Sequence, residues 1–317
     1  MMGARPEDPF MPDASMTPTY QSNRGSVPAA NMAAAPETRG TALDFLRLLA
    51  MEVSKGTVDL PCFPDVVVRI RHALENPSTT IEKAVAIVGN EPRLSARLLQ
   101  TANSAAFNTS GKPLTDLRSA ITRLGQQLVQ SAAVAYAVQQ LKHAPALRSI
   151  AKPLSELWRD CILVASISQA VAGRTKIRPD EAFLTGLLHG IGRLYIMVRA
   201  VSHAEKFGGD QVFLDLIADW HASIGKAVLE NWGFAEQMCK AVGDQDDHER
   251  RRAPGDELSD ILAVSVVLAA AMKSPSSPPA TDQIKPFQNI GLTASDCAAI
   301  LTQAKHHLGS LHDALGG

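Results

Sequence analysis

From Leu60 to the C-terminus, apolar residues recur every three or four positions, and no stretch alternates as a half-buried strand would. A chain patterned this way buries its apolar stripes by packing helix against helix. In TTIEKAVAIVGN, Ile81, Ala84, Val85 and Val88 share one face, and Thr79 with Glu82 fits a capping box. In NEPRLSARLLQTAN, Asn90 is the expected cap, and Leu94, Leu98 and Ala102 point inward. TDLRSAITRLG starts at Thr115, carries Leu117, Ile121 and Leu124, and breaks at Gly125. Further helices are expected over residues 126–141, 154–172, 180–189, 211–231 and 258–272, and a last one from Thr293 or Ser295 to about 315. The predicted fold class is all-α: a two-subdomain helical bundle.

The 317 residues allow two domains, or one with tails, and 45% hydrophobic residues suffice for a core. Residues 1–40, rich in Pro, Ala, Ser and Gly, read as a disordered arm, and 41–57 as a short helix (41–55) and linker. The subdomains are expected over 58–150 and 151–275, with a linker and C-terminal helix over 276–317 and Pro and Ser frequent at 273–291. The arm and the last helix read as decoration. No internal repeat is visible.

With 31 basic and 32 acidic residues, the charge gives no reason to seek nucleic acid or an anionic membrane. SAITRLGQQLVQSAAVAYAV has helix-turn-helix spacing, yet residues 126–141 hold no Lys or Arg to meet phosphates, so DNA docking is not expected. The four cysteines, Cys62, Cys161, Cys239 and Cys297, form no C-x-x-C pair and read as reduced thiols of a cytoplasmic protein. No signal peptide is visible. The most apolar run, residues 261–272, is shorter than the about 20 residues that cross a bilayer. There is no P-loop, no G-x-G-x-x-G after a strand, and no G-x-S-x-G elbow.

The chemistry-bearing residues gather around FLTGLLHGIGRLY, residues 183–195. An apolar run delivers His189, then Gly190, Gly192 and Arg193 follow, with a glycine expected to end the helix at positive φ. Upstream, Asp160 borders the stripe Leu157, Trp158, Cys161, Val164, Ile167 and Val171, where a carboxylate is costly unless paired or at the water edge. Downstream, His221 lies on an amphipathic helix ending in Trp232, and GDQDDHERRR holds Asp244, Asp246, Asp247 and His248. Taken alone, His221 is a packed core histidine, GDQDDHERRR a charged surface loop, and ERRR a solvated basic cluster.

In this order the pieces resemble the HD superfamily of metal-dependent phosphohydrolases. LPCFPDVVVRI (60–70), IVGNEPRLSARLLQTANSAAF (87–107) and LTDLRSAITRLGQQLVQSAAVAYAV (114–138) narrow the resemblance to its HDOD (HD-related output domain) branch. The resemblance covers about residues 58–272 and implies a helical bacterial signalling module with an HD-like C-terminal subdomain. In working HD sites, histidines and aspartates hold metals that activate water. Here the resemblance sets His189 and His221 at ligand positions, but Gly190 replaces the Asp of the His-Asp pair. The first histidine falls at Asp160, the later pair near Gln245 and Asp246, and the closing Asp near Ser265. Asp160, His189, Gly190, His221, Asp246 and Ser265 are therefore expected to mark a vestigial pocket without metal, cofactor or catalytic residue. Asp160 and His189 are expected to pair across it. The partners implied are other signalling proteins, with no nucleic acid and no membrane; self-association is left open. The alternatives are a residual phosphodiesterase using Asp160, His189, His221 and Asp246, or a binder of a nucleotide second messenger.

Overall fold

The computed structural model describes residues 36–55, 80–104, 107–108, 111–142, 144–201, 210–251, 253–273 and 283–315. Most of the expected arm, LPCFPDVVVRI, Cys62 and Thr79 lie outside them. From Pro36 onward the described residues belong to one compact unit, helical throughout, with no strand among them. In chain order the helices are α1 (Pro36–Ser54), α2 (Ile81–Gly89), α3 (Pro92–Asn103), α4 (Leu117–Lys142), α5 (Ala151–Ala172) and α6 (Pro179–Leu188). Then come α7 (Ile191–Val201), α8 (Asp210–Asn231), α9 (Glu236–Gly243), α10 (Glu257–Lys273), α11 (Lys285–Ile290) and α12 (Ala294–Leu315).

The expected stripes are the buried ones. Leu94, Leu98 and Ala102 of α3 are fully buried, and Ile121 and Leu124 join them from α4. Several caps differ from expectation by one residue. Thr80 caps α2, its hydroxyl accepting from the Lys83 amide at 3.3 Å. Asn90 closes α2, and Glu91 precedes α3 because Pro92 supplies a first-turn residue that needs no amide partner. Asp116 caps α4, its carboxylate accepting from the Ser119 amide at 2.8 Å. Gly125 does break the helix, with φ 74° and ψ 165°. Beyond it Val129, Ala132, Ala133, Tyr136, Ala137 and Leu141 are buried, so this segment is core. Thr293 caps α12: its hydroxyl accepts from the Asp296 amide, and the Asp296 carboxylate accepts from the Thr293 amide.

α5 is the hub, packed by α6, α10 and α12. Its buried face runs nearly all round, from Leu154 to Ala172. The last helix is thus not decoration. It spans α5 and α3, buries Cys297, Ile300 and Ala304, and its Asp296 pairs with Arg174 at 3.4 Å. Phe107, just after α3, meets Phe183 of α6 edge-on at 5.2 Å between ring centroids, joining the two halves. Among the described residues three α-helices have no counterpart in the sequence reading, α7, α9 and the short α11 inside the expected linker, nor has the 3-10 helix Pro145–Ile150. α1 starts at Pro36 rather than Thr41 and packs on α8, in the far half of the sequence.

Candidate functional site

Neither Gly190 nor Gly192 takes positive φ, and the chain does not leave the helix layer after His189. His189 keeps right-handed helical angles (φ −56°, ψ −32°), and α7 begins at Ile191. The glycines serve close approach instead. A Cβ on Gly192 would lie 1.9 Å from the His221 carbonyl oxygen and 2.6 Å from the Gly225 amide nitrogen. α7 therefore lies with its backbone directly on that of α8. This contact carries Arg193 to the His221 side chain.

His189 is 3% exposed, and its Nδ1 lies 2.7 Å from the Gly186 carbonyl oxygen. A carbonyl only accepts, so Nδ1 bears the proton and Nε2 keeps its lone pair. Burial, aided by the positive charge of Arg193, pushes its pKa down to about 3, so the ring is neutral. His221 is 1% exposed. Its Nε2 stands 3.1 Å from Asp246 Oδ2 and 3.3 Å from Arg193 Nη2. The two contacts are alternatives: Nε2–H donates to the carboxylate, or bare Nε2 accepts from the guanidinium. Either way a carboxylate, an imidazole and a fixed cation meet at one point. The Gln245 amide donates to Val242 O at 2.8 Å and to His189 O at 3.2 Å, tying the loop after α9 to the end of α6.

Asp160 does not join this group. Its carboxylate is 29% exposed and pairs with Lys273 Nζ of α10 at 2.5 Å. The expected pair with His189 is replaced by this one, because Asp160 lies at the wet edge of the α5 stripe and a lysine from the next helix reaches it. Ser265 is fully buried and donates to Ile261 O one turn back, at 2.7 Å. Gly190 faces the α5 stripe. An added Cβ would meet Cys161 Sγ at 2.8 Å and Leu157 Cδ1 at 2.9 Å. The loop 244–251 is also not simply solvated: Arg250, 9% exposed, lies between Asp256, at 2.8 Å, and Asp260, both buried.

The HDOD family model matches residues 60–248, more than half of the sequence. The chain belongs to the HDOD domain family. An uncharacterized protein of Treponema pallidum is 23% identical over 205 residues, 61% of this chain but 39% of that protein. The HDOD chain thus spans about two fifths of that relative's length. Solved structures that share the fold include the following three. A candidate metal-dependent phosphohydrolase from Shewanella amazonensis matches at TM-score 0.66 and 23% identity, over 86% of this chain and 99% of that one. A signal-transduction candidate from Marinobacter aquaeolei matches at 0.60 and 19%, over 90% and 68%. An HDOD domain protein of unknown function from Geobacter sulfurreducens matches at 0.57 and 22%, over 86% and 98%.

HD-like relatives raise the question of a metal. The HDOD side chains do not fit one. The position matched to the metal-bridging aspartate has no side chain, and Leu157 and Cys161 fill the room a carboxylate would need. A guanidinium already neutralises the His221–Asp246 pair. Among the described residues, no three His, Cys, Asp or Glu side chains converge as a metal set. No described helix is long and apolar enough to cross a membrane.

The sequence reading missed Arg193 as a site residue. Its signal was present: one charge inside the otherwise apolar run IGRLYIMV, four residues past His189 and so on the same helical side.

Proposed function

We propose that this HDOD chain is a non-catalytic signalling module of the bacterial cytoplasm that works by binding other proteins. The observation that carries the reading is the closed seat at Gly190, where Leu157 and Cys161 occupy the volume of a ligating side chain. Arg193 supports it by supplying a permanent positive charge that needs no loading and activates no water. What remains is a buried polar joint: His189, His221, Asp246, Gln245 and Arg193 hold α6, α7, α8 and the loop after α9 in register. A joint of this kind fixes the relation between helices that a partner reads.

The test is turnover. Purified full-length protein, incubated with manganese, iron or zinc and an activated phosphodiester, should hydrolyse it no faster than buffer with the same metal. Hydrolysis that scales with protein and disappears in His221→Ala would overturn the proposal.

A further inference from the structure

α1 is the outlier of the architecture. It precedes the N-terminal half in sequence, with residues 56–79 between it and α2, yet it packs on α8. Its inner side places Phe45 and Leu49, 2% and 0% exposed, in the common core, while Met51 on the outer side is 50% exposed. Specific polar contacts anchor its C-terminal turn. Glu52 receives Tyr195 Oη at 2.7 Å and pairs with Arg199, both from α7. The Asn231 amide of α8 donates to Val53 O at 3.0 Å. Both anchoring helices also build the polar joint, α7 through Arg193 and α8 through His221.

We propose that the α7–α8 face under α1 is a docking groove for a partner's amphipathic helix of α1's own pattern, apolar at i and i+4 and acidic at i+7, with α1 as its built-in competitor. The groove has the parts such a helix needs. There is an apolar floor, a guanidinium and a phenol hydroxyl placed for one carboxylate, and an amide for a backbone carbonyl at the helix end. α1 is suited to be displaced. Among its described side chains only Phe45 and Leu49 are fully buried, and Glu52 makes the ion pair to α7, the Asp44–Arg47 pair being internal to α1. A partner helix with Phe or Leu, Leu and Glu at those three positions would replace it contact for contact. The proposal rests on the protein-binding reading above, and concerns only where that binding occurs.

The experiment uses the full chain and a fluorescent peptide of residues 36–55. Glu52→Gln in the chain weakens the resident helix, so the wild-type peptide should bind that chain about tenfold tighter than the unaltered chain, the factor one charge-assisted hydrogen bond is worth. A peptide carrying Leu49→Asp should not bind. Equal affinity for both chains, or unchanged binding of the Leu49→Asp peptide, overturns the proposal. Should Glu52→Gln fail to fold, hydrogen exchange on the unaltered chain decides. α1 amides should exchange by local opening, faster than those of α7 and α8, whereas exchange only with global unfolding refutes a displaceable α1. Metal-dependent turnover would defeat the non-catalytic reading without altering the peptide result, so the two failures are distinguishable.

Discussion

One methyl group at Gly192 should push α7 off α8. The added Cβ would meet three backbone atoms, His221 O at 1.9 Å, Gly225 N at 2.6 Å and His221 C at 2.9 Å. Backbone cannot rotate away as a side-chain end can, and a carbon–oxygen contact needs roughly 3.3 Å, so the helices must part by about 1.4 Å. Overpacking of flexible side chains costs about 1–3 kcal/mol; a backbone collision belongs at or above the top of that range, about 3 kcal/mol or more. Gly190→Ala meets only side-chain atoms, at 2.8 and 2.9 Å, and should cost about 1–2 kcal/mol. Gly173→Ala is the control. Its Cβ would be 3.4 Å from the nearest atom, at φ −59°, so the substitution should be neutral or stabilise by about 0.5 kcal/mol through the unfolded chain. The assay is urea denaturation of the three variants and the wild type, followed by circular dichroism. Gly192→Ala should show the lowest midpoint and Gly173→Ala the highest of the three. A Gly192→Ala protein within about 0.5 kcal/mol of wild type would refute the direct backbone contact on which the placement of Arg193 depends.

Three further outcomes are expected. The unfolded His189 takes a proton near 6.5 and the folded one not until about 3, so this group withdraws stability as pH falls between those values, by up to about 1.4 kcal/mol per pH unit. His189→Gln should flatten the fall in urea midpoint between about pH 7 and about pH 5, and an unchanged slope would contradict the neutral ring. Arg250→Met strips the guanidinium from buried Asp260 and one of two cations from Asp256, which keeps Lys240, and should destabilise by about 3 kcal/mol, with Arg250→Lys recovering part of it, both read from denaturation midpoints. Burial pushes the Cys161 thiol up to about 12, so mass spectrometry should find it unalkylated by maleimide in the folded protein and modified only in denaturant.

The helical class was legible because its signal is local: Leu94, Leu98 and Ala102 repeat at helical spacing wherever α3 ends up. His189 and His221 were legible as residues, since a polar group on an apolar stripe is visible in one dimension, whereas Asp246, inside a charged loop, was marked only by the family resemblance. Their partners were not. Asp160 chose Lys273, more than a hundred residues away, and no local pattern distinguishes that lysine from a solvated one. Gly190 and Gly192 read as a helix end because glycine commonly serves that purpose; the backbone of α8, which makes Gly192 necessary, is set by packing alone. The position of α1 was hidden for the same reason, since Glu52 signals nothing until Tyr195 and Arg199 face it.

In the proposed reading, this chain's own atoms close the seat a metal would need. The most direct measurement is elemental analysis of the full-length protein after exposure to manganese, iron and zinc and removal of unbound ions. Far less than one ion per chain is expected, unchanged by His189→Ala. One tightly held ion per chain, lost in His189→Ala, would contradict it.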